Sequence, residues 1–106
     1  MICRLWKGWT TIETAEAYEQ VVLGEVIPGI EARRIPGLRS IDLMRRDCDD
    51  EVEFMTLMWF DDLAAVKAFM GEDYSVAHVP ESGRRVLARF DERSTHFDVL
   101  DRRQQD

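Results

Sequence analysis

The 106-residue chain is 45% hydrophobic and 33% charged, a balance that excludes a disordered polymer and suits one folded domain. Its formal charge of -7 argues against a nucleic-acid partner, because phosphate recognition needs a basic surface and the arginines here fall in scattered pairs among acidic residues. No apolar run reaches the length of a membrane span, and Met1-Ile2-Cys3-Arg4 opens straight into a strand pattern without a signal segment, so the expected location is cytoplasmic, with no membrane partner.

Residues 2–9, ICRLWKGW, alternate as a first strand, with Cys3 and Leu5 on one side and Arg4 and Trp6 on the other. Thr10 and Glu13 stand at capping-box spacing and predict a helix opening at Thr10-Thr11. Along it Ala15, Tyr18, Val22 and Val26 keep an apolar stripe flanked by Val21 and Ile30. Pro28-Gly29 is expected to kink or break that helix and leave a short piece through Ala32. After a turn at Pro36-Gly37, Leu38 to Arg46 reads as a second strand. The polar run Asp47-Cys48-Asp49-Asp50 reverses the chain into a third strand, Glu51 to Phe60.

Asp61 is the expected N-cap of the next helix, with Leu63, Val66, Phe69 and Met70 as its buried stripe and Gly71 as its stop. A loop over 72–79 leads to Pro80 and a short helix whose Val86 and Leu87 pack inward. Thr95 to Leu100 is the last strand, and 101–106 is expected to fray. This order predicts a single α+β, ferredoxin-like βαββαβ domain over 1–100: a four-stranded antiparallel sheet with helices on one face.

The third strand, EVEFMTLMWF, is apolar on both faces from Phe54 onward, whereas a sheet covered on one side only has a polar second face. Leaving Met55, Leu57 and Trp59 bare, or on the other face Met58 and Phe60, costs about 25 cal/mol per Å² relative to burial. A second copy packed sheet to sheet would cover them, so a homodimer is expected. Cys3 and Cys48 read as free thiols, and they offer neither a disulfide framework nor a metal site. No phosphate loop, nucleophile elbow, CxxC or HExxH occurs.

The early strand ICRLWKGW, the hairpin at 38–60 and the stretch MWFDDLAAVKAFMGEDYSVAHVP resemble the antibiotic biosynthesis monooxygenase group of the dimeric α/β-barrel superfamily. The resemblance implies that fold, and a cofactor-independent monooxygenase acting on a small aromatic or polyketide-like molecule in a pocket between helices and sheet. It implies His78 as catalytic base, with Arg4, Trp6, Met58, Trp59 and Tyr74 binding the substrate, and neither cofactor nor metal. A non-catalytic small-ligand-binding or stress-associated homodimer is the alternative. Haem-degrading relatives carry an axial histidine at the place of His78, together with a tryptophan and an asparagine. Ala68 or Phe69 stands at the tryptophan position here, and the chain contains no asparagine.

The residues themselves leave further options open. An arginine on a covered face needs a partner, so Arg4 is expected to meet Asp42 or Glu53 across the sheet, or an anionic ligand. His96 and Asp98 share a strand face, which allows either an acid/base pair or a surface hydrogen bond.

Overall fold

Strand pairing organises the chain around its first strand. The computed structural model describes residues 1–106 as β1 (Ile2–Thr11), α1 (Ala15–Val21), a π-helical turn (Val22–Val26), α2 (Ile27–Ala32), β2 (Leu38–Asp47), β3 (Glu51–Phe60), α3 (Leu63–Met70), α4 (Glu81–Arg84), β4 (Arg89–Phe90) and β5 (Thr95–Asp98). The antiparallel sheet runs β2-β3-β1-β4, with β5 also paired to β1. This is the ferredoxin-like arrangement, with five strands where four were expected. The last strand is divided: β4 pairs with Gly8 and Trp9, β5 with Ile2 to Leu5. Between them the chain leaves β1 and bonds instead to the loop before α4, through Ala77 N–H to the Glu92 carbonyl and Ser94 N–H to the Ser75 carbonyl.

The period of two along β1 and β3 sets the two faces. Arg4, Trp6 and Thr10 of β1 and Val52, Phe54, Met58 and Phe60 of β3 are buried on the side that carries the helices. Register joins Arg4 to Met58, Trp6 to Thr56 and Gly8 to Phe54 on that side. Phe60, Val66 and Phe69 centre one cluster beneath α3; Phe54, Tyr18 and Val22 centre another beneath α1. The Tyr18 and Phe54 rings meet at 4.8 Å and 60°, a tilted packing that aromatic quadrupoles favour.

Three local expectations are corrected. Thr10 does not open a helix: β1 continues to Thr11 opposite Glu51, Thr10 is buried, and α1 begins at Ala15 after Thr14. Pro28 stands in the expected short piece through Ala32, but the helix before it is not broken. The Ile27 N–H reaches the Val22 carbonyl across a wide π turn, which accommodates the missing proline donor one residue later. Asp61 is not the cap of α3, since its N–H is held by the Gly37 carbonyl and its carboxylate pairs with Arg39. The chain therefore stays extended one residue further, and Asp62 caps, accepting from the Ala65 N–H at 2.9 Å.

The contact of Asp61 with Gly37 depends on glycine. Gly37 has φ +85°, and a Cβ there would lie 2.7 Å from the Ala65 Cβ, an atom fixed on α3. Gly37→Ala is expected to lower stability by about 2–4 kcal/mol, the sum of left-handed strain and overpacking. Gly29→Ala, with no atom within 4 Å of the added carbon, is expected to raise it by about 0.5–1 kcal/mol. Urea unfolding of the two variants beside the parent chain checks the opposite signs.

Candidate functional site

The site starts from a buried charge. Arg4 is only 3% exposed, and neither Asp42 nor Glu53 meets it. Asp42 instead accepts from the Trp59 indole at 2.9 Å, and Glu53 gathers Lys7, Trp9 and Arg46, all on the sheet face away from the helices. Arg4 is held by neutral acceptors: Nη1 donates to the Tyr74 carbonyl and to His96 Nε2 at 3.1 Å, and Nη2 to the Val76 carbonyl at 2.7 Å. These bonds satisfy three of its five donors and do not cancel its charge. Burial pulls its pKa down to about 10, which leaves it a cation at neutral pH.

Beside this guanidinium lies a cavity of about 50 Å³, roofed by the helical segment and floored by β1 and β3. Arg4, Trp6, Met58 and Thr56 form its floor; Tyr18, Val22, Val26, Ile27 and Ile30 its roof; Phe69, His78 and Ser94 its side. Three of the roof residues belong to the π turn and the first position of α2. The widened turn that accommodates Pro28 thus also shapes the space. Val26, Ile30 and His78 border a neighbouring surface groove of about 240 Å³ as well, shared with Glu25, Gly29, Arg33 and Pro80.

His78 sits at this mouth, its residue exposed to solvent, with its ring 5.2 Å from Phe69. Arg4 and Arg33 also approach Phe69, at 5.5 Å and 5.2 Å from its centroid. Desolvation first, then the charges of Arg33 and Arg4, push the His78 pKa below its usual value. His96 is pushed down likewise by burial and by Arg4. Its Nε2 accepts from Arg4, which puts its proton on Nδ1, and its ring packs edge-on against Tyr74 at 5.2 Å. The expected pairing of His96 with Asp98 is replaced by this bond to Arg4.

The structure brings Arg4, Trp6, Met58 and His78 of the expected site together around one cavity. It does not bring Trp59 there. Trp59 opposes Cys3 on the other sheet face, where the Arg102 guanidinium covers its ring at 4.5 Å. Tyr74 contributes its backbone carbonyl to Arg4, and its ring packs on His96 and the α3 cluster outside the cavity lining. Tyr18, Thr56, Phe69 and Ser94 were not foreseen. Tyr18 was legible as core, whereas Ser94 becomes a neighbour of the cavity only through the break between β4 and β5. A haem does not fit: about 50 Å³ is far below the size of the macrocycle, and Phe69 occupies the space against His78.

Both histidines titrate below 6.5 in the folded chain, so on acidification the unfolded chain takes up protons first. Their effect on stability is nil above that value and unfavourable below it, growing as the pH falls towards the folded pKa values. Melting temperatures between about pH 7.5 and about pH 5 are therefore expected to drop on acidification. His96→Gln, which keeps an acceptor for Arg4 and cannot titrate, is expected to flatten that drop; an unchanged slope would show that His96 contributes none of it.

No protein-family model matches the chain, and no curated protein matches it in sequence. Solved structures are similar to it. One is a candidate antibiotic biosynthesis monooxygenase from Chloroflexus aurantiacus J-10-fl, 15% identical, with a TM-score of 0.58 over 97% of this chain and 96% of that one. Another is an ethyl tert-butyl ether D (EthD) family protein from Bacillus halodurans C-125, 16% identical, with a TM-score of 0.56 over 94% of this chain and 100% of that one. At such identity the likeness is one of fold alone: the chain shares the ferredoxin-like architecture of these two proteins.

Proposed function

We propose that the cavity between helices and sheet binds a small aromatic or polyketide-like molecule as its anion, and that the protein oxidises this molecule as a cofactor-independent monooxygenase. The observation that carries the reading is the uncompensated charge of Arg4, buried with no carboxylate partner on the wall of a mostly apolar cavity. Such a charge favours the ionised form of a phenol or enol. Neutral His78 at the mouth has a free lone pair to take the departing proton. The electron-rich carbon then reacts with dioxygen: an activated CH₂ becomes C=O, and the second oxygen atom leaves as water with the two hydrogens. The substrate supplies all four electrons, so no cofactor enters the balance. Trp6 and Tyr18 supply aromatic walls, and Met58 an adaptable floor.

A second reading draws on the small volume. At about 50 Å³ the inner space is tight for a substrate and dioxygen together, which favours a non-catalytic binder of a compact ligand. In either reading the protein assembles as a homodimer through the sheet face opposite the cavity. Support comes from Leu5, Met55, Leu57 and Trp59, all half-buried there, and from Phe97 and Met44, which are 54% and 42% exposed.

Oxygen uptake with a panel of dihydroxy-aromatics separates the two readings. Turnover is expected in air and not under argon, with kcat reduced at least ~100-fold by His78→Ala. No oxygen uptake on any member would remove the monooxygenase and leave the binder. Sedimentation at micromolar concentration is expected to give a dimer, and Leu57→Arg, which places a charge at the centre of the face, a monomer. A monomeric parent chain would overturn the assembly.

A further inference from the structure

We infer that Ser94 and Arg4 form an oxyanion subsite at one end of the cavity, and that its ligand is a compact apolar body bearing a single anionic oxygen group, a carboxylate or an ionised phenol or enol. The inference rests on the cavity being a ligand site, as proposed above, and adds a ligand class and a specificity-determining residue to it.

Ser94 is 7% exposed, and its buried hydroxyl has no hydrogen-bond partner in the protein. A buried hydroxyl left unmade is costly, and of the two such hydroxyls in the chain, Thr10 and Ser94, only that of Ser94 belongs to a residue lining the cavity. Its backbone is pinned by the 2.6 Å bond from its N–H to the Ser75 carbonyl, so the side chain is held at the cavity wall. Ser94 and Arg4 both line this cavity, Ser94 from the break just before β5.

Arg4 brings the complementary group. Its protein bonds occupy both hydrogens of Nη1 and one of Nη2; Nε and the second Nη2 hydrogen have no protein acceptor. Two free donors on a fixed cation suit an oxyanion, and Ser94 adds a third. The opposite end of the cavity is apolar. Arg4, Met58 and Ile41 form one rung across β1, β3 and β2, and Ile27 and Ile30 roof its far end. A ligand lying along the rung sets its anionic group at β1 and its apolar body towards β2. An inner space of about 50 Å³ is smaller than the ~150 Å³ that holds a benzene ring, so a ring-sized body must reach into the surface groove that Ile27, Ile30 and Ile41 also border at the β2 end.

Backbone-amide NMR titrations of the full chain test this with benzoate, its neutral isostere benzamide, and 4-nitrophenol on either side of its ionisation. Benzoate or 4-nitrophenolate is expected to bind at least ~10-fold more tightly than its neutral counterpart, and whichever anion does so identifies the oxygen group. Ser94→Ala is expected to weaken that anion ~5–10-fold, leave benzamide unchanged and not lower the melting temperature, because it removes an unpaired buried hydroxyl. Arg4→Lys is expected to abolish the anion preference; should it not fold, the Ser94 variant alone decides. Equal affinity for both anions and their neutral forms, or an anion affinity unaffected by Ser94→Ala, overturns the subsite. Anion preference without oxygen uptake on any substrate upholds the subsite and removes the monooxygenase. Oxygen uptake without anion preference does the reverse.

Discussion

The structure turns on one guanidinium taken out of water without a counter-charge. Burying a cation is costly unless it is hydrogen-bonded, and Arg4 places three of its donors on two backbone carbonyls from the loop after α3 and a ring nitrogen of β5. Those bonds have a structural effect of their own. They fasten the 74–76 segment and the last strand to the middle of the sheet, where no regular ladder would hold the loop. The loop then offers its other carbonyl and amide groups to residues 92 and 94, and the last strand is split in two. One buried charge thus accounts for the fixed loop, and through that loop for the interrupted edge and the position of Ser94.

A second constraint shapes the space above that charge. A proline within a continuous helix removes a donor and crowds the preceding turn. Here the cost is relieved by widening the turn before it, and the widened residues Val22 and Val26, with Ile27, form the apolar roof. A regular helix would present a different set of side chains to Met58 and Ile41. The polar wall and the apolar roof therefore arise from unrelated local causes, an arginine on the first strand and a proline in the first helix. That they meet at one cavity is the strongest reason to read it as a site.

Much of this was legible in the sequence where a period carries the information. Alternation in ICRLWKGW placed Arg4 and Trp6 together on one face, and strand and helix order gave the ferredoxin-like architecture. Alternation could not orient EVEFMTLMWF, because both its faces are apolar; Met58 and Trp59 looked equally suited to a pocket, and only pairing with β1 puts Met58 beneath the helices. The caps were misplaced by one residue or more because tertiary bonds, Thr10 within the strand ladder and Asp61 to Gly37 and Arg39, outweigh local capping. Ser94 carried no signal at all. Its role depends on a break in strand pairing that no local composition marks.

The two faces of the sheet also differ in how they handle charge. On the open face the half-buried carboxylates have opposite partners: Glu53 with Lys7 and Arg46, and Glu51 with Arg89. Around the cavity Arg4, Arg33, His78 and His96 gather with no carboxylate bonded to any of them, in a chain whose net charge is -7. Apart from the loop that Arg4 fastens, such an imbalance is costly for stability, because each charge carries a desolvation penalty that no carboxylate offsets. In an otherwise acidic protein that arrangement supports the proposed anion site: neutral acceptors keep the Arg4 charge in place and leave it open to compensation by a ligand.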